Sequence, residues 1–346
     1  MVDDLDFRLL RHFVAVAEEL HFTRAAQRLF VAQQALSRDI RRLEHIVGVP
    51  LFDRTTRRVS LTPAGERLLD AAHRLIALHD QTLQELRGDT GSLSIDLVRP
   101  DLTPAQLLTV VRTRAPEVEF FARFHGGLET ALAQLATYGL DVAFGRLASP
   151  GTAAPDGLDH RLVRLEPIAV LLPEGHTLAA LEGVPLAALR DAGVCWRAGN
   201  HVTPEWEQVA LQLLAGFDID PTQAHPRVHG LDELALHVRR RDAPVLTVAS
   251  QPHVPNAVVR PLVEPTAVYP WYMIWRSDLR HPGLQALHQA IDDLAATDGW
   301  LELPENAWLP EPEAEGIRHS STHRGETGDS HPPGQAGADL STGQPP

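Results

Sequence analysis

Apolar residues return every three or four positions over three early stretches, the spacing that gathers them on one face of a helix. Over residues 7–19, Leu10, Phe13, Val14 and Ala17 form such a face. A second helix is predicted over 23–29, with Thr23 placed to cap it and the small Ala25-Ala26 pair permitting close helix approach. The third, 33–47, sets Leu36, Ile40, Leu43 and Val47 on an apolar face and Gln33, Gln34, Ser37, Arg38 and Arg41 in a polar stripe opposite. Phe30-Val31-Ala32 leaves room only for a tight link, and an Arg-rich stretch, 53–59, follows the third helix. The pattern predicts a helix-turn-helix with a wing, whose polar stripe can read DNA.

Thr62-Pro63, a capping threonine before a proline at the first helical position, opens a long helix running to about residue 87. Along it Leu69, Ala72, Ile76, His79, Leu83 and Leu86 alternate steps of three and four, the spacing of a coiled-coil seam, and predict dimerisation. The alternative is a helix packed on its own domain. Beyond a short linker at 88–92 the period changes to two, starting with Leu93-Ser94-Ile95-Asp96-Leu97-Val98. Strands are predicted at 118–124, 142–145, 168–172, 193–196, 245–249 and 272–275. They alternate with helices near 104–115, 127–138, 204–216, 230–240 and 283–296, a succession that predicts an α/β fold with largely parallel sheets. From 304 to 346 the chain has seven Pro and six Gly among scattered large apolar residues, and a disordered tail is predicted there.

A chain of 346 residues with 44% hydrophobic content can bury the cores of two or more domains. No apolar run approaches the roughly 18 residues of a membrane span, and the acidic start Met1-Val2-Asp3-Asp4 is unlike a signal peptide. A cytoplasmic location with no membrane partner is expected. Cys195, the single cysteine, excludes an internal disulfide and agrees with a reducing compartment. The net charge of −14 opposes a nucleic-acid partner only until its distribution is considered. From Arg24 to Arg58 eight Arg face three acids, whereas beyond Arg87 there are 18 Arg and 33 acids. Since all 31 basic residues are Arg, clustering rather than residue identity is the evidence.

Phe13-Val14-Ala15-Val16-Ala17-Glu18-Glu19, Phe22-Thr23-Arg24-Ala25-Ala26, Gln33 with Ala35-Leu36-Ser37, and Arg41-Arg42-Leu43-Glu44 follow one another in a distinctive order and spacing. Gly48-Val49-Pro50-Leu51-Phe52-Asp53-Arg54 and Leu61-Thr62-Pro63-Ala64-Gly65 complete the signature. On these residues the N-terminal region resembles the LysR-type transcriptional regulators, and the resemblance continues to about residue 300. Leu140-Asp141-Val142-Ala143 and residues 172–179 resemble the family's effector domain less distinctively. The resemblance implies an α/β protein with an all-α winged helix-turn-helix N-terminal domain (1–62) and a long linker helix (63–91). A periplasmic-binding-protein-like effector domain of two α/β subdomains (92–303) follows, and the tail is 304–346. Subdomain I would comprise 92–164 and 266–303, subdomain II 165–265, with a small molecule in the cleft between them. Three positions depart from the family's pattern. Ala32 stands where a serine commonly precedes the recognition helix, Gln34 where proline is common, and His21 where serine is frequent.

For DNA contact, Gln33, Gln34, Ser37 and Arg38 are expected at base edges, while Arg41, Arg54, Arg57 and Arg58 hold phosphates. Thr23 and Arg24 at the start of the second helix complete the set. For the effector, Thr103-Pro104 reads as a helix start whose amides and hydroxyl can hold an anion. Asn200, His201 and Thr203 can serve across the cleft, as can His125 and Thr247 at strand ends. No phosphate-binding glycine loop, nucleophile elbow or metalloprotease motif is present, and neither an enzyme, a cofactor nor a metal is implied. The expected function is a sequence-specific transcriptional regulator modulated by a small-molecule effector, with double-stranded DNA and its own copies as partners, as a homodimer or homotetramer. RNA polymerase is a further partner open to it. The rivals are a DNA-organising protein without an effector and a metabolite-binding enzyme with a vestigial DNA module.

Overall fold

The computed structural model describes residues 5–54, 59–87, 91–147, 157–220, 227–241 and 243–311. In the first unit, α1 (Phe7–Glu19) is capped by Asp6, whose carboxylate accepts the Arg8 amide at 2.8 Å. α2 (Phe22–Arg28) is capped by His21 and not by Thr23. Extended backbone ends at His21, so Thr23 already lies in the first helical turn, and it is the imidazole that accepts the Arg24 amide, at 3.4 Å. α3 (Gln33–Val47) starts at Ala32 with no side-chain cap and ends on Gly48 in the left-handed region. Its Leu36, Ile40 and Leu43 share one core with Leu9, Leu10, Phe13 and Val16 of α1 and Ala25-Ala26 of α2.

The wing is an antiparallel pair, β1 (Phe52–Arg54) and β2 (Val59–Leu61), with Phe52 opposite Leu61. Side chains from the flanking helices anchor it. The Glu44 carboxylate accepts the amides of Leu51 and Phe52 at 3.0 and 3.3 Å. Thr62 donates to the Pro50 carbonyl at 2.8 Å and accepts the Gly65 amide at 3.0 Å, so it caps α4 (Pro63–Arg87) while holding the wing. A Cβ on Gly65 would lie 2.2 Å from the Leu51 carbonyl oxygen, and only glycine permits this approach.

The seam predicted on α4 divides. Leu69, Ala72 and Ile76 pack into the first unit's own core, and the His79 ring lies 4.3 Å from that of Phe7, because α1 runs along this side of the helix. Leu83 is half-buried, while Leu75, Leu78 and Leu86 are exposed on the remaining surface.

The second unit contains a nine-stranded mixed sheet. β3 (Ser92–Asp96) runs parallel to β4 (Glu119–Arg123) and β5 (Val142–Gly145), with α5 (Thr103–Arg114) and α6 (Leu128–Ala136) as connections. β6 (Leu158–Pro173) is 16 residues long, far beyond the predicted 168–172. β7 (Val184–Pro185), α7 (Pro204–Gly216), α8 (Leu231–Arg241), β8 (Val245–Val248) and β9 (Ala257–Val263) build the second lobe. β10 (Thr266–Arg276) returns to the first lobe, where α9 (Pro282–Asp298) packs on α5. β6 pairs antiparallel with β10 as far as Pro167 and with β8 and β9 from Ile168 onward. A chain that crosses between lobes and comes back must place its crossing strands antiparallel, and this makes the sheet mixed instead of largely parallel.

Two further expectations are corrected. The stretch 193–196 forms isolated bridges at Val194 and Cys195, the latter to Val245, and no strand. Residues 304–311 are folded, with β11 (Ala307–Trp308) parallel to β10 and Leu309 buried, so ordered chain extends past the predicted start of the tail. Residues 312–346 lie outside the described residues.

In the second lobe His201 is enclosed, its Nε2–H donating to the Leu246 carbonyl at 3.1 Å and its ring edge-on to Trp206 at 4.4 Å. Burial, the largest cause, lowers its pKa from 6.5 to about 3. The unfolded chain takes up a proton near pH 6.5 that the folded chain refuses, so stability present above that pH is lost as pH falls toward 3. The slope inside the window is roughly 1.4 kcal/mol per pH unit. Between pH 7 and 5, urea midpoints of the native chain should fall faster than those of His201→Gln; parallel profiles would remove His201 as the cause. Gly65→Ala should destabilise the N-terminal unit by about 1–3 kcal/mol, since a backbone carbonyl must move to admit the methyl group. Its urea midpoint should drop at unchanged slope.

Candidate functional site

On α3, Gln33, Gln34, Arg38 and Arg41 are exposed and Ser37 partly so, and Arg38 and Arg41 have no ion pair among the described residues. The face stays rigid because the opposite side is tied down. Asp39 accepts His12 Nδ1–H at 2.9 Å and faces Arg8 at 3.7 Å, which locks α3 to α1. Thr23 and Arg24 are exposed on α2, and Arg24 is anchored to the end of α1 by a 2.5 Å bond to the Glu19 carbonyl. Arg54 ends β1, while Arg57 and Arg58 lie outside the described residues. Phe30, read in the sequence as mere link, is 96% exposed in a left-handed turn just before α3.

Where the lobes meet, Glu166 of β6 is fully buried. Its Oε2 accepts Trp271 Nε1–H at 2.6 Å and the Thr103 hydroxyl at 2.8 Å, and its Oε1 accepts the Ser250 amide at 3.1 Å. Arg164 stands 3.7 Å away. Thr103 is therefore no open helix start. Leu102 is the N-cap, and Thr103 is buried with its proton given to Glu166 and its oxygen accepting Arg164 Nη1–H at 3.1 Å. Its hydroxyl has no proton left for an anion.

Three more expected ligand contacts prove to be internal supports. Thr203 caps α7 by accepting the Trp206 amide at 3.2 Å, Thr247 donates to Gln251 at 3.0 Å, and His201 is enclosed. Buried hydroxyls and imidazoles need partners, and these have found them within the lobe.

The cleft itself presents other groups. Arg99, following β3, lies over Gly126, whose Cβ would sit 3.3 Å from its Nη2, and its Nε is buried without a hydrogen-bond partner. His229 comes from the second lobe; burial first, then the Arg99 charge, holds its imidazole below the ordinary range. The His125 amide donates to Asp96 Oδ1 at 2.8 Å, and its ring Nδ1 is 3.2 Å from the same oxygen without hydrogen-bond direction. Asp96 is fully buried; burial pushes its carboxyl pKa up against the opposing pull of His125. Asn200 accepts the Gly230 amide at 2.9 Å, beside His229. Across the cleft, Glu205 of α7 accepts the Leu128 amide at 2.9 Å, an acid at the positive end of α6.

Of the residues expected at the effector, His125 and Asn200 are half-buried, whereas Thr103, His201, Thr203 and Thr247 are buried. Sequence reasoning missed Arg99, His229, Glu205 and Glu166. The available signals were an arginine directly after a strand, at Arg99-Pro100, and a lone acid in the otherwise apolar run around Glu166. Among the described residues no cluster could hold a metal ion, and no helix is long and apolar enough to cross a membrane.

Residues 7–66 match the family model described as a bacterial regulatory helix-turn-helix protein, lysR family, and residues 87–296 match the LysR substrate binding domain. The HTH-type transcriptional regulator BudR of Raoultella terrigena is 36% identical over 196 residues, covering 54% of this chain and 66% of that protein, slightly under two thirds of its length. Full-length BenM, a transcriptional regulator of Acinetobacter baylyi, matches at 25% identity over 87% of this chain and 100% of its own, with a TM-score of 0.52. Full-length CbnR complexed with its target DNA shares the fold, at 24% identity, coverage of 84% and 99%, and a TM-score of 0.59. With both its helix-turn-helix and its two-lobed domain matched, the chain belongs to the LysR family of bacterial regulatory proteins.

Proposed function

We propose that this protein is a sequence-specific transcriptional regulator in the cytoplasm whose action on DNA is modulated by a small molecule bound between its lobes. The observation that carries the reading is the α3 face, where Gln33, Gln34, Ser37, Arg38 and Arg41 stand together and both arginines lack an acidic partner among the described residues. Gln and Arg match adenine and guanine edges in the major groove. The opening amides of α3 have no side-chain acceptor at Ala32, so a DNA phosphate can occupy that place, as anions do at helix starts. BudR and BenM are named as regulators, and CbnR is seen on its target DNA.

Leu75, Leu78 and Leu86 leave an apolar stripe on α4 that a second copy's helix would cover, placing two reading heads on one DNA duplex as a homodimer. Pairing of dimers gives the homotetramer, and RNA polymerase is the partner on which such a regulator acts. For the effector, Arg99 from one lobe and His229 from the other favour an anion, with His125 and Asn200 at the margin. Arg54, Arg57 and Arg58 are proposed from the sequence as further phosphate contacts.

A footprint upstream of the protein's own gene supplies the operator for the tests. Arg38→Ala should weaken operator binding by about 1–3 kcal/mol more than random DNA. Arg41→Ala should weaken both alike and lower the salt slope by about one. Equal losses for Arg38→Ala on the two DNAs would assign it to the backbone. For the cleft, acetate, succinate and benzoate are compared with their amides in thermal unfolding. Carboxylates should raise the Tm of the native chain and leave Arg99→Ala unmoved; a shift that survives in the variant, or none in the native chain, would discard the anion site.

A further inference from the structure

We propose that residues 300–311 form a strap that sets the angle between the two lobes, and with it the width of the cleft. The matched family region ends at residue 296, inside α9, so the strap lies beyond it. The chain leaves α9 on the first lobe through Gly299 in the left-handed region and runs over the crossing strands. The Leu165 amide of β6 donates to the Trp300 carbonyl at 2.8 Å, and the Arg164 guanidinium lies 4.8 Å from the centre of the Trp300 indole. β11 then adds to β10, with Ala307 opposite Thr266 and Trp308 opposite Ala267. Leu309, 3% exposed, closes a small separate core with Leu165 and Val268.

The far end grips both lobes at one residue. The Glu311 amide donates to Gln212 Oε1 of α7, in the second lobe, at 3.1 Å. Its carbonyl accepts Arg146 Nη2–H, from just after β5 in the first lobe, at 2.8 Å and Gln212 Nε2–H at 3.4 Å. Arg146 is itself almost fully buried, so its guanidinium is a fixed point and not a surface arm.

Hinge closure works through dihedral changes at the few residues where strands pass from one lobe to the other. Here those are Leu165 to Pro167 and Thr266 to Val268, the residues the strap covers. A change of angle moves Gln212 relative to Arg146. It must then break a bond at Glu311 or peel the strap and expose Leu309. Pro304 and Pro310 hold φ fixed and remove slack from the segment. The consequence for effector access rests on the anion-binding cleft proposed above, but the angle itself does not.

The test places spin labels on the full chain at Thr113→Cys in the first lobe and Ala187→Cys in the second, both exposed, while Cys195 is buried. Interlobe distances are compared for the full chain, a chain ending at 311, a chain ending at 303, and full-length Gln212→Ala. The chain ending at 311 should match the full chain, whereas the 303 chain and Gln212→Ala should broaden the distribution roughly twofold as further lobe angles become populated. Unchanged distances in Gln212→Ala overturn the proposal. They do so whether the 303 chain unfolds, stays unchanged or broadens, because a change confined to truncation assigns the segment to folding alone. Neither ligand nor DNA enters the measurement, so failure of the effector proposal would leave its result intact.

Discussion

Glu166 is a carboxylate taken wholly out of water, and such a group is tolerated only when donors surround it. Three donors reach it, Thr103 at the start of α5, Trp271 on β10 and the Ser250 amide after β8, and the Arg164 guanidinium on its own strand stands 3.7 Å away as a countercharge. The two crossing strands, a helix of the first lobe and a turn of the second therefore converge on one acid. Lobes joined only by two strands would form a loose joint. Joined through this acid they have a defined pivot, because separating Thr103 from Ser250 strips hydrogen bonds from a charge with no access to water. The cleft groups Arg99, His229 and Glu205 act outward from that pivot.

The N-terminal unit solves a similar problem with backbone contacts. Glu44, at the end of α3, holds the first residues of the wing, and Thr62 with Gly65 clamps the start of α4 against Leu51. The exit path of α4 is thus fixed relative to the reading helix. His79 against Phe7 and Asp80 bonded to Arg11 at 2.5 Å carry that rigid relation farther along the helix. A displacement of α4 therefore moves the DNA face as a body, as coupling between an effector lobe and a reading head requires.

Local periodicity made much of this legible. α1 was expected over 7–19 and α3 over 33–47, and both occupy those spans because their apolar spacing depends only on neighbours in sequence. What stayed hidden depends on distant partners. Only 168–172 of β6 read as a strand, since Arg161 and Arg164 break the apolar pattern upstream; in the fold Arg161 pairs with Asp292 and Arg164 stacks on Trp300. Thr103 looked like an exposed helix start because nothing nearby reveals an acid 63 residues away waiting for its hydroxyl. The segment after Pro304 lacked the large apolar residues of a core, yet Trp308 and Leu309 suffice when the surface they cover is already built.

The same physical criterion separates both candidate sites from their surroundings. Many arginines of the two lobes are paired with acids in place: Arg276 with Asp141 and Asp278, Arg197 and Arg227 with a shared Glu207, Arg114 with Asp293. Such pairs hold the fold together and have little charge left to offer. Arg38 and Arg41 on α3, and Arg99 in the cleft, have no acidic partner among the described residues. In a chain carrying a net charge of −14, leaving these positions unmatched runs against the average environment. An unmatched guanidinium on a rigid face attracts an anion from outside the chain, and this is the ground on which a phosphate is proposed at α3 and a small anion in the cleft. Sequence could find the first pair because its acid-poor neighbourhood is contiguous; the isolation of Arg99 arises only when both lobes have folded around it.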